Sequence, residues 1–207
     1  MEIKLRLEEK KDYGKVEEIT REAFWNVYSP GCNEHFIIHK IRDRKEFIKP
    51  LDYVAIYNEE IVGNIVYIEV KVGNSDKLLG FGPVSVLPEY QNKGIGSELI
   101  NHTIKLAKEM GYKAILIYGD PEYYKRFGFE TSKNYNITNK DKEYPAALLV
   151  LELYNNALSG ITGIYDEGNI YDVNEEEFNE FEKKFEKKEK KFQETQTRFL
   201  ELSNKTL

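Results

Sequence analysis

A strand-like run, LLGFGPVSVL (78–87), passes through PEYQNKGIGSELI (88–100) straight into a helix-like pattern. Leu99, Ile100, Thr103, Ile104, Ala107 and Met110 keep helical spacing, and Gly111 stands where a C-terminal cap belongs. Strand, glycine-rich turn and helix in that order place free N–H groups and the positive end of a helix dipole at the turn, which makes an anion site. Gly94 and Gly96 carry no side chain to obstruct a phosphate, and Gln91, Asn92 and Lys93 add amide and ammonium donors. Phosphate binding is the reading these residues support.

Three ligand classes compete for such a turn. A nucleotide P-loop needs Lys followed by Ser or Thr after the last glycine, whereas Ser97 follows Gly96 directly. A dinucleotide fingerprint needs Gly or Ala three residues beyond Gly96, where Leu99 stands instead. Coenzyme A, with its pyrophosphate, is the third class.

The flanking chain reads as a mixed fold. IKLRL is a first strand; from Asp12 a helix carries Tyr13, Val16, Ile19, Ala23 and Phe24 on one side; a second helix follows from Asn33. DYVAIYN, IVGNIVYIEVKV and LLGFGPVSVL are strands with short, hence antiparallel, connections. KAILIYGD returns after the crossover helix and so lies parallel to the strand before it. PEYYKRF is a short helix, AALLVLELY a further buried strand, and 159–173 is compatible with a small hairpin. From Glu175 the chain is rich in Glu and Lys, with Phe178, Phe185, Phe192 and Phe199 seven residues apart and Phe181 and Leu202 on a neighbouring row. That pattern predicts a charged amphipathic helix that either lies on its own domain or makes a homodimer contact.

Length suits one domain with an appendage: 207 residues, 41% hydrophobic. The formal net charge of -6 argues against nucleic-acid binding and mildly favours a cationic acceptor. A single cysteine, Cys32, rules out an intrachain disulfide, and no apolar run approaches the ~20 residues that span a bilayer. With no apolar stretch of signal-peptide length near the start, the expectation is a soluble cytoplasmic protein with no membrane partner. The three histidines and one cysteine show no metal-ligand spacing, so no metal is expected.

VSVLPEYQNKGIGSELI resembles the acetyl-CoA motif of the GNAT acyltransferase superfamily, Gln/Arg-x-x-Gly-x-Gly/Ala, with Gln91, Gly94 and Gly96 in place. YGDPEYYKRFGF resembles the second motif of that superfamily, with Tyr124, Gly128 and Phe129 at the matching spacing. Together with FWNVYSPGCNEHF, these stretches look most like the YhbS-type group of bacterial N-acetyltransferases. The resemblance implies a GNAT fold over 1–154: an α/β (α+β) domain with a central mixed, mostly antiparallel sheet, a parallel splayed pair and helices on both faces. Residues 155–207 then form a C-terminal helical extension. The implied activity is direct transfer of an acetyl group from acetyl-CoA to a primary amine of a small molecule or peptide.

The resemblance also implies residue roles. Val84 and Val86 offer backbone groups to the pantetheine arm, an N–H near Ser85 or Val86 polarises the thioester, and Pro83 helps splay the strand. Backbone from Gln91 through Asn92, Lys93, Gly94, Ile95 and Gly96 to Ser97 holds the pyrophosphate. Tyr124 protonates the departing sulfur, with Tyr123 as the adjacent candidate. An alkylamine, with a pKa of about 10, must lose a proton before it attacks. Glu34, His35 and Asp120 are the candidate bases; Glu69, or a water chain with no dedicated base, is an alternative. Asp120 also suits a helix cap, and His35 a structural role. Cys32 with His35 or His39 forms a conceivable nucleophile pair. Lys125 and Arg126 either reach the coenzyme's outer phosphate or line a solvated face. A non-catalytic acyl-CoA sensor whose phenylalanine seam meets a partner is the other reading of the whole chain.

Overall fold

The computed structural model describes residues 2–207, apart from the side chains of Phe199 and Ser203. The strands are β1 (Lys4–Leu7), β2 (Tyr53–Tyr57), β3 (Glu60–Val72), β4 (Leu78–Val86), β5 (Ala114–Tyr118), β6 (Glu130–Thr131), β7 (Ile137–Thr138), β8 (Leu148–Glu152) and β9 (Gly163–Asp166). The α-helices are α1 (Tyr13–Phe24), α2 (Glu34–Ile41), α3 (Ile95–Glu109), α4 (Pro121–Tyr124), α5 (Glu175–Glu182) and α6 (Glu194–Asn204). The main sheet runs β1-β2-β3-β4-β5-β8-β6. Its neighbours are antiparallel except β4 and β5, which are parallel because α3 crosses between them.

β3 explains why its sequence reads as a near-continuous apolar run. Val66, Ile68, Val70 and Val72 face one core with Val16 and Ile19 of α1 and Ile37, Ile38 and Ile41 of α2. Ile65 and Tyr67 face the other, with Ile95, Leu99, Ile100 and Ala107 of α3. A strand alternates its side chains, so a sheet covered by helices on both faces is apolar at both parities.

The parallel pair is joined only at its start, Leu78 with Ala114 and Leu79 with Ile115. Beyond that β5 stays with β8 as far as Tyr118, while β4 stays with β3 as far as Val86. Between them the register shifts: Phe81 opposes Tyr67 and Val84 opposes Ile65, three steps on β4 against two on β3. This bulge contains Gly82 (φ +142) and Pro83. A bulge bends its strand, and proline has no N–H for a ladder, so the two strands part here.

The chain after Tyr154 departs from the expected hairpin and continuous helix. β9 adds to the fold by pairing antiparallel with β3 (Tyr165 with Val72) and parallel with β7. The charged segment begins as a helix at Glu175, capped by the Asn174 side chain accepting from Glu177 N–H, but breaks after Glu182 and resumes at Glu194. Tertiary partners override the periodicity. The backbone carbonyls of Glu186 and Glu189 accept from the Arg21 guanidinium, the Trp25 indole and the Asn26 amide, at 3.0–3.1 Å. A continuous helix would have consumed those carbonyls internally.

Consequently the seam is not a seam. Phe178, Phe181 and Phe185 pack on His35, Phe36 and His39 of α2, whereas Phe192 is 69% exposed. The Phe199 side chain lies outside the described residues. The extension lies on its own domain. Glu182 ties it down, accepting from Arg21 (2.5 and 3.0 Å) and meeting His35 Nε2 at 2.7 Å. Removing that carboxylate leaves a guanidinium with only 4% of its side chain exposed without its charge partner. Glu182→Ala is expected to cost about 3 kcal/mol, read as a lower urea midpoint at unchanged slope.

Candidate active site

The parting of β4 and β5 opens a cavity of about 470 Å³. Its floor is Phe81, Gly82, Pro83, Val84 and Leu116 to Asp120, with Tyr124 at one side. Over it stand the end of α1 and the following turn (Phe24, Val27, Tyr28), the start of α2 (Glu34, Ile37), the chain after β9 (Glu167, Tyr171) and α6 (Thr195, Arg198, Leu202).

On the β4 side the backbone is set by strand parity. Leu87 N–H donates to Val62 C=O at 2.9 Å, so Ser85 also turns its backbone toward β3, and Val84 and Val86 turn theirs to the open edge. The Ser85 side chain is buried against α1, donating to Thr20 at 3.2 Å. Val86 C=O accepts from the Gln91 side chain at 3.0 Å, which folds the loop back on the strand.

The loop then enters α3 at Gly94, whose φ of +88 belongs to the left-handed region that glycine adopts without strain. No side chain caps α3 among the described residues. The first intrahelical bond to Gly94 C=O comes from Glu98 N–H, which leaves the N–H groups of Ile95, Gly96 and Ser97 in the first turn. A methyl on Gly94 would meet nothing within 4 Å, so the turn faces open space. An uncapped helix start behind two glycines fits a diphosphate. Lys93 donates to Glu89 C=O at 2.7 Å and lies over Tyr90. Lys125 pairs with Glu122, and Arg126 lies over Tyr123.

Tyr124 packs its ring among Phe81, Tyr123, Phe127 and Phe129, with centroids 4.9–6.2 Å away. Gly119 makes room for it: a methyl there would overlap the Tyr124 ring. Burial first, then Tyr28, Tyr123 and Tyr67, push the phenol well above its ordinary value. That shift favours the protonated phenol at neutral pH.

The three base candidates separate. Glu34 lines the cavity, and burial raises its carboxyl although the N–H of Asn33 donates to Oε2 at 3.0 Å. Asp120 also lines the cavity but is committed twice: Oδ1 accepts from Glu122 N–H at 2.9 Å, capping α4, and Oδ2 pairs with Arg198 at 2.8 Å. His35 is displaced from the site. It is wholly buried under α5, bonded to Glu182, and burial lowers its pKa. Of the two roles open to it in the sequence, base or structural, this placement fits the structural one, and the tail segment that covers it gave no motif to decide between them. Glu69 is not among the lining residues. Cys32 and His35 do approach, Sγ to Nδ1 at 3.6 Å, yet both are buried, and burial raises the thiol pKa, which disfavours a thiolate there. Among the described residues no cluster of metal-ligating side chains occurs.

Polar lining residues beyond β8, among them Tyr165, Glu167, Tyr171 and Arg198, had no sequence signal.

A bulged, parted parallel pair and a glycine turn feeding a helix are the two features of the fold that frame the cavity. Residues 51–131 match the acetyltransferase (GNAT) domain family. It is 28% identical to the N-acetyltransferase YhbS of Escherichia coli K12 over 147 residues, 70% of this chain and 83% of that protein. It is 29% identical to the N-acetyltransferase YjhQ of the same strain over 141 residues, 67% of this chain and 72% of the other. The crystal structure of E. coli YhbS in complex with CoA superposes with a TM-score of 0.74 at 24% identity, over 83% of this chain and 92% of that one. A GNAT family acetyltransferase from Brucella melitensis in complex with acetyl-CoA gives 0.69 at 25% identity, over 83% and 99%. The described residues contain no helix long and apolar enough to cross a membrane.

Proposed function

We propose that this protein moves an acetyl group from acetyl-CoA directly to a primary amine held in the same cavity. The observation that carries the reading is the parting of β4 and β5 next to the uncapped start of α3. The N–H groups of Ile95, Gly96 and Ser97, with the loop Gln91–Gly94, would receive the diphosphate. Val84 and Val86 would pair with the pantetheine amides along the open edge of β4, and the Val86 N–H is the donor best directed at a thioester oxygen. When bound, acetyl-CoA supplies an activated acyl group with a thiolate as leaving group. Glu34 takes the proton from the amine, and Tyr124 gives one to the departing sulfur. Arg198 keeps Asp120 charge-paired and out of this proton traffic.

The test is release of free thiol from acetyl-CoA in the presence of a panel of amines, with acetyl-CoA binding measured by calorimetry. No amine-dependent release and no binding would overturn the proposal. Gly94→Val places a β-branched residue at φ +88 and should weaken acetyl-CoA binding about tenfold or more by distorting the turn.

A further inference from the structure

Two carboxylates face the cavity from different walls, Glu34 at the start of α2 and Glu167 after β9. Resting on the transfer reading above, we propose that the acceptor is a compact organic dication: a primary amine with a second cationic nitrogen a few bonds away. Glu34 meets the reacting nitrogen, and Glu167 with its tyrosines holds the other.

Glu167 is built to hold something. Tyr165, 4% exposed, donates its hydroxyl to Glu167 Oε2 at 2.8 Å, which fixes the carboxylate and leaves Oε1 for a ligand. Tyr118 stands beside Tyr165 with ring centroids 6.0 Å apart, and Tyr171 is pinned to the bulge through its hydroxyl on Gly82 C=O at 3.4 Å. After burial, the charge of Glu167 is the next cause raising the phenols of Tyr118 and Tyr171, so all of them share one locality. A carboxylate among aromatic rings is the chemistry that recognises an organic ammonium.

The remaining lining agrees. Among the described residues neither Glu34 nor Glu167 has an ion pair. Lys140, the cation closest in effect to Glu167, is turned to Asp166 (3.7 Å) and Gly168 C=O (3.4 Å). Arg198, the cation in the lining, is neutralised by Asp120. An acceptor bearing its own carboxylate finds no unpaired cation there among the described residues. Phe24, Val27, Ile37 and Leu202 supply apolar wall in the same cavity, against which a short methylene chain can pack.

The experiment compares 1,4-diaminobutane and 1,5-diaminopentane with butylamine, pentylamine and 5-aminopentanoate as acceptors for the full chain, reading thiol release. The expected result is a kcat/KM for the diamines at least tenfold above the matched monoamines, with the aminocarboxylate lowest. Glu167→Gln, which can still accept from Tyr165, should collapse that ratio about tenfold, mainly through KM, with acetyl-CoA affinity within twofold of the parent. Glu167→Asp should keep part of the preference. Monoamines equal to diamines, or a ratio that survives Glu167→Gln, overturns the proposal. If no amine is acetylated, calorimetry of the CoA-loaded protein with 1,5-diaminopentane decides. Binding that weakens in Glu167→Gln keeps the dication site and sinks the transfer reading alone; no binding sinks the dication site.

Discussion

Tyr124→Phe should lower kcat by about 100-fold or more while acetyl-CoA binds within twofold of the parent affinity. The separation follows from how the side chain is held. Its ring is fixed by Phe81, Tyr123, Phe127 and Phe129 and seated over Gly119, contacts that phenylalanine retains. Only the hydroxyl is lost, and that is the group assigned to the leaving sulfur. A high phenol pKa means Tyr124 stays protonated across the working range, so it does not set the basic limb of the pH profile. Stopped-flow turnover with calorimetry of donor binding makes the check. An unchanged kcat would remove Tyr124 from the chemistry and leave it a packing residue, and Tyr123 would be tested next.

Glu34→Gln should lower kcat about 100-fold near neutral pH and abolish the acid limb of the parent profile. A general base works when ionised, and burial raises this carboxyl. Parent activity at saturating amine should therefore fall, as the pH drops, through a value above the ordinary carboxylate range. The same shift has a stability consequence of definite sign. With the folded pKa above the unfolded one, stability is highest below the unfolded value and declines as pH rises through the folded value. Glutamine removes that penalty, so the variant should be no less stable than the parent at pH 7 while being far slower. A variant that is both slow and unstable would indicate damage to α2 rather than loss of a base. A profile that keeps its acid limb would assign the limb to another group.

The proposed donor half of the site was legible because it is written in contiguous chain. Gly82 to Ser97 hold the bulge, the open edge and the glycine turn, and Tyr118 to Phe129 hold the second wall, each stretch carrying spacing that local geometry enforces. The fold followed for a similar reason: apolar parity along β3 and the crossover through α3 leave few arrangements. The acceptor half was legible only around Glu34. Glu167 joins it through the pairing of β9 with β3, and Arg198 only because the tail returns over α1 and α2, a choice made by long-range partners such as Arg21 with Glu182 and Trp25 with the Glu189 carbonyl. His35 illustrates the same limit, since its neighbours in sequence sit at the cavity while its ring points to a helix ~150 residues away, and Glu182, 147 positions on, takes its nitrogen. The seven-residue phenylalanine spacing misled because periodicity reports what a helix could bury, not whether other backbone acceptors are in demand.

The open rim of β4 makes the sheet one rung short over Val84 to Val86, and in the proposed complex that rung would be supplied by the donor's pantetheine amides rather than by the chain. Loading and folding therefore draw on one free energy. A donor present at a hundred times its dissociation constant adds about 2.7 kcal/mol to the native state, so heat tolerance and resistance to proteolysis should track the cell's supply of acyl donor.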